Sequence, residues 1–369
     1  MLRDPRLQNL AKILVHHSIR MEKNETVMIY APHKAKPLVI ELLKEIRKSG
    51  GNPVVELKDS DIERELIMSQ TEKSLKRDYL WLERQLDDID CMIHIRALES
   101  DYTNVDVPSD KLMNVRKNIQ PLQSRRLGKK WVLLNYPTEG AAHKAKMSYE
   151  QYFDYLFACM NVDYEKMEKA FEPLKKLMEK TDKVRILGPG TDLNFSIKGL
   201  NVVPCAGENN IPDGEIFTAP VKTSVNGVIS YNCPSAYRGK VFNNVKLEFA
   251  NGKIVNASAD NDLDVLEEIF NTDAGARYVG EFAIGVNPLI TKPMINTLYD
   301  EKIAGSIHFT PGNSYDHCPN GNNSAVHWDL VLIQTPEYGG GEIYFDDVLI
   351  RKDGLFVLDS LKGLNPTNL

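Results

Sequence analysis

Five side chains in the second half of the chain are of the types that hold divalent metals. They are Glu215 in NNIPDGEIFTAP, Glu281 in YVGEFAIGVNP, His308 in SIHFTPGNSY, and His327 and Asp329 in NNSAVHWDLV. His327 and Asp329 stand at i and i+2, which puts both on one side of an extended strand with Val326, Trp328 and Leu330 on the other. A shared partner could then bind both. Glu281 lies among Val279, Phe282, Ala283 and Ile284, where an unpaired carboxylate is costly. Each residue also has an ordinary reading. Glu215 can be an exposed carboxylate after the Pro212-Asp213-Gly214 turn, and Glu281 can face solvent on an edge strand. His308 can be a core histidine, and His327 with Asp329 a plain hydrogen-bonded pair.

Charge favours reading them together. Three carboxylates and two neutral imidazoles carry three negative charges, which two divalent cations and a bridging hydroxide cancel. One ion alone would leave carboxylates uncompensated. A pair of metals lowers the pKa of a shared water so that hydroxide exists near neutral pH, which is hydrolytic chemistry. Imidazole and carboxylate ligands without thiolate accept Zn²⁺, Co²⁺ or Mn²⁺. The sequence has no G-x-x-x-x-G-K-[ST] phosphate loop, no G-x-S-x-G elbow and no H-E-x-x-H. GPG at 188–190 and GGG at 339–341 read as turns. His16, His17, His33, His94 and His143 make no site by themselves, and His94 reads as a satisfied core histidine.

The elements that must position these residues change in character along the chain. TVMIY, PVVEL, DCMIHI and KWVLLNY are short strand-like runs separated by helical patterns such as KPLVIELLKEIRKSG. Strands alternating with helices imply right-handed crossovers and a doubly wound, mostly parallel sheet, so residues 1–182 are expected to form an α/β domain. From KVRILGPGTDLNFSIKG onward the strands are close together with Gly, Pro and Asn turns, and ANGK marks a hairpin. Residues 183–369 are expected to be a β-rich α+β domain that carries the metal ligands, with DLDVLEEIF as a helix.

At 369 residues, 42% hydrophobic and 26% charged, the chain has the composition of a two-domain globular protein. A net charge of -6 with no basic stripe gives no reason to expect nucleic acid. No apolar run approaches the roughly 20 residues that span a bilayer, and the start lacks a secretory pattern, so the expected location is the cytoplasm with no membrane partner. Cys91, Cys159, Cys205, Cys233 and Cys318 are scattered and form no C-x-x-C pair, consistent with reduced thiols.

The four segments NNIPDGEIFTAP, GEFAIGVNP, IHFTPGNSY and NNSAVHWDLV, in that order, resemble the motifs of the M29 family of metallo-aminopeptidases, and the resemblance covers essentially the whole chain. It implies an exopeptidase hydrolysing the N-terminal peptide bond of short peptides. The family's metal ligands fall on Glu215, Glu281, His308, His327 and Asp329, and its active-site tyrosine on Tyr315. It further implies a homodimer, the first domain serving oligomerisation and walling an internal space. Within that mechanism Glu215 is expected to bridge the two ions, the substrate's free amine to bind one of them, and Tyr315 to hydrogen-bond the tetrahedral oxyanion. The segment YDHCPNGNNSAVH is shorter than the family pattern, which bears on the substrate pocket; its His317 and Cys318 are rival ligands of lesser standing. Another amide or ester as substrate, or a non-catalytic ligand-binding protein with a structural cluster, are the alternatives, and the missing secretory pattern counts against the latter.

Overall fold

The computed structural model describes residues 4–97, 99–100 and 102–369. One compact unit runs to Asn161 and takes in Gly207–Ile211; the other comprises Val162–Ala206 and Pro212–Leu369.

In the first unit the alternating strand and helix patterns become a five-stranded parallel sheet. Its order is Asn52–Lys58, Thr26–Pro32, Cys91–Arg96, Lys130–Asn135 and the short Asn210–Ile211. The helix Lys36–Lys48 buries Leu38, Val39, Leu42 and Ile46, a stripe at helical spacing. Met28, Tyr30, Leu86, Ile89, Met92 and Leu122 form a core cluster. Burial, then the charge of Arg96, pushes His94 down to about 4, so it stays neutral as a core histidine.

The helix Tyr164–Met178 precedes the expected boundary near residue 182, yet it groups with the β-rich unit. It packs against the C-terminal segment Asp359–Leu364, and the Tyr164 hydroxyl accepts the Asp213 N–H at 3.2 Å. Asn210–Ile211 groups with the first unit because it pairs with Lys130–Asn135.

The second unit holds an eight-stranded antiparallel sheet and a five-stranded one. The ANGK hairpin joins Lys246–Ala250 to Lys253–Ser258, with Asn251 and Gly252 at φ of 49° and 87°, as a two-residue turn matched to strand twist requires. The five-stranded sheet runs Val331–Ile333, Ser306–Pro311, Val279–Gly285, Glu215–Thr218, Val203–Cys205, antiparallel throughout. Phe195 and Phe249 of the larger sheet meet Phe282 and Phe309 of the smaller, with ring centroids 5.0 to 5.9 Å apart. These rings fix which face of the smaller sheet is core.

All five cysteines are free thiols. No helix among the described residues is long and apolar enough to cross a membrane.

Candidate metal centre

Phe282 and Phe309 are directly paired across neighbouring strands, so side-chain alternation decides everything else on that sheet. With both rings turned to the core, Glu281, Ala283, His308 and Thr310 face the opposite way. Glu281 pairs with Thr310 and Ala283 with His308. On the other side of the Glu281 strand, Glu215 lies opposite Gly285. Glu281 therefore sits on the central strand, only 3% exposed, and not on a solvent-facing edge.

His327 and Asp329 arrive differently from the expected strand. Residues 323–330 are extended but pair only through an isolated bridge between His327 and Gly312, and the regular strand begins at Val331. Alternation nevertheless holds: Val326, Trp328 and Leu330 are buried while His327 and Asp329 face the site. A bulge at Gly280 brings the Gly312–Asn313 backbone close, because a Cβ there would lie 2.1 Å from the Asn313 carbonyl.

The five residues converge. Glu281 lies between the two imidazoles, its Oε1 3.3 Å from His308 Nε2 and its Oε2 3.3 Å from His327 Nε2. His327 Nε2 is also 3.3 Å from Asp329 Oδ1, and His308 Nδ1 is 3.6 Å from Glu215 Oε2. The carboxylate shared by both histidines is thus Glu281; Glu215, expected to bridge, stands at one end. Glu281, His327 and Asp329 offer ligand atoms within 4.8 Å of one another, as do Cys205, Asp213 and Glu215.

Outer contacts orient these groups. His308 Nδ1 is 3.2 Å from the Glu301 carbonyl and His327 Nδ1 is 2.9 Å from the Asn313 carbonyl. A carbonyl only accepts, so each Nδ1 carries a proton and donates it, leaving the Nε2 atoms to meet the Glu281 carboxylate. The Thr310 hydroxyl donates to Asp329 Oδ1 at 2.8 Å. An imidazole lone pair and a carboxylate repel unless a cation lies between them. His327 Nε2 and Glu215 Oε2 are also buried without a hydrogen-bond partner, which leaves both atoms available to an ion.

The protonation balance carries the same message. Burial alone would lower His308 and His327, but Glu215 and Glu281 raise the first to about 10, and Asp329 and Glu281 raise the second to about 12. Against their own burial, Glu281 is lowered by the two histidines and Asp329 by His327 and His308. The cluster binds cations strongly, whether protons or metals.

Two residues of the site were not found in the sequence, Glu301 and Lys302, in the turn YDEKIAG. Lys302 is wholly buried, its Nζ 3.5 Å from Glu215 Oε1 and in contact with Glu301 Oε1. Gly285 makes their approach possible: a Cβ there would lie 2.6 Å from the Ile303 carbonyl and 3.0 Å from that of Glu301. In sequence the triplet Asp300-Glu301-Lys302 looks like any solvated turn, and only its closeness to His308 hints at more.

Tyr315 is 41% exposed, and its ring lies 4.8 Å from that of His327. Partial burial, then the charges of Glu281 and Asp329, push its hydroxyl well above the usual phenol range. Cys318 turns into a core of Phe217, Ala219 and Ala283, its thiol donating to the Asn201 carbonyl at 3.0 Å. His317 stacks on Tyr315 with centroids 5.4 Å apart and joins neither ligand group.

The chain is similar to proteins named as aminopeptidases. Aminopeptidase AmpS of Bacillus subtilis is 34% identical over 155 residues, which span 38% of this chain and 37% of that protein's length. Aminopeptidase PepS of Streptococcus thermophilus is 25% identical over 389 residues, 88% of this chain and 91% of that one. In fold, the chain is similar to the structure of wild-type AmpT from Thermus thermophilus, with a TM-score of 0.81 over 96% of this chain and 99% of that chain at 21% identity. The model of the thermophilic metalloprotease family M29 matches residues 3–342, and the chain belongs to that family.

Proposed function

We propose that the chain is a metal-dependent aminopeptidase that removes N-terminal residues from short peptides, with two divalent ions held by Glu215, Glu281, His308, His327 and Asp329. The observation that carries this is the buried Nε2 of His327, which has no hydrogen-bond partner while facing two carboxylates at 3.3 Å, on the fold of a metalloprotease family. Glu301 and Lys302 add one negative and one positive charge, so the net of three negative charges is unchanged.

Divalent ions bound there supply Lewis acidity toward a peptide carbonyl and an activated water near neutral pH; Zn²⁺, Co²⁺ and Mn²⁺ all suit the donors. Glu281, placed between the two imidazoles, would serve both ions; His308, through Nε2, and Glu215 would complete the set at one end, His327 and Asp329 at the other. Tyr315 keeps its hydroxyl proton at neutral pH and, half exposed beside His327, donates a hydrogen bond to the oxyanion of the tetrahedral intermediate. That contribution is typically about 3 kcal/mol at such sites.

A homodimer is part of the proposal. The strand Asn52–Lys58 is an edge of the parallel sheet with Val54, Val55 and Leu57 exposed, and Ile62 and Leu66 are exposed on the following helix Ser60–Met68. Parallel strands are ordinarily covered on both faces, which favours a second copy as the cover.

The test is metal analysis of the purified protein together with hydrolysis of leucine p-nitroanilide and its N-acetylated form, with and without chelator. Bound divalent metal, cleavage of the free-amine substrate alone and loss of cleavage on chelation are expected. Turnover that survives complete removal of metal, or equal cleavage of the blocked substrate, would overturn the proposal.

A further inference from the structure

Lys302 places a positive charge inside a site built to bind cations. Its side chain is wholly buried and its ammonium pairs with Glu215 and Glu301, the second of which also feels the charges of Asp329 and His308. Among the described residues no Lys or Arg forms an ion pair with Glu281 or Asp329 at the other end. The lysine is held there by its backbone: Gly285 leaves room for the turn, and the Lys302 carbonyl accepts the Asn287 N–H at 3.0 Å. It cannot swing to solvent without unmaking that turn.

We propose that Lys302 is a positioning residue that makes the two ion positions unequal. Its ammonium engages one oxygen each of Glu215 and Glu301 and repels an incoming cation nearby. The position at Glu281, His327 and Asp329 then fills first and tightly, and the position at Glu215 and His308 fills second and weakly. This rests on the two-ion reading given above.

The test is titration of the chelator-stripped full chain with Zn²⁺ in competition with a chromophoric chelator, for the wild type, K302M and K302R. Two bound ions with constants at least ~10-fold apart are expected in the wild type. K302M, which keeps the chain length and removes the charge, should tighten the weaker constant ~10-fold or more and leave the tighter one nearly unchanged, whereas K302R should keep the separation. Two equal constants in the wild type, or an unaltered separation in folded K302M, would overturn the inference while leaving the metalloenzyme intact. If K302M does not fold, the wild-type constants decide alone. Failure to bind any Zn²⁺ would instead bring down the metal centre and this inference with it.

Discussion

The two site histidines differ from ordinary ones in what their ring nitrogens face. Each Nδ1 is tied to a backbone carbonyl, so in the metal-free protein the second proton must sit on Nε2, against carboxylate. That proton is held far more tightly in the folded chain than in the unfolded one, up to about 10 for His308 and about 12 for His327. A raised folded-state pKa gives stability that is fully present below the unfolded value of about 6.5 and is lost as pH rises through the folded values. Metal bound at the proposed site would replace the Nε2 protons, so its stabilising effect would grow over the same range. The melting temperature of the chelated protein should therefore fall between about pH 7 and about pH 9, and the gap between metal-loaded and chelated protein should widen. Thermal melts at the two pH values check this, and a gap that narrows with rising pH would contradict the histidine assignment.

At the scale of elements, the site depends on two places where backbone approaches backbone. Gly280 forms the bulge that admits Asn313, whose carbonyl orients His327. In Gly280→Ala the new methyl would meet the Asn313 carbonyl, so the turn must shift, at a cost of about 1–3 kcal/mol. Zinc affinity should fall along with the melting temperature; full retention of both would show that the bulge does not position the histidine. Much of this arrangement was legible in the sequence. GEFAIG and SIHFTP alternate with period 2, and aromatic residues at Phe282 and Phe309 declare the core face, so Glu281 and His308 had to share the other. The lack of a ladder at His327 was not legible, because extended backbone alternates its side chains whether or not it is paired. Nor was the grouping of the helix Tyr164–Met178 with the second unit, since its apolar face meets Asp359–Leu364 far along the chain. Glu301 and Lys302 were hidden for a further reason: burial of a turn depends on a glycine in a neighbouring strand, Gly285, and not on the turn's own composition.

For the whole molecule the open surface of the first unit is the informative feature. Leu57, Ile62 and Leu66 are 58%, 63% and 60% exposed, on an edge strand and the helix directly after it. An edge strand that carries exposed apolar residues invites pairing, and natural chains ordinarily blunt such edges with charge. Here Glu56 and Lys58 supply some charge within the strand, but the apolar side chains outnumber them. A closed twofold contact would bury the same patch from both copies and leave no free edge for further growth. Light scattering should thus give twice the 41.7 kDa chain mass for the wild type and a single chain for a Leu57→Glu/Leu66→Glu variant. Zinc content should be unaltered in that variant, because Glu215, Glu281, His308, His327 and Asp329 all belong to the other unit. A wild-type monomer, or a dimer that survives both charges, would place the contact elsewhere or nowhere; loss of zinc in the monomeric variant would mean that the centre needs the second copy to hold its shape.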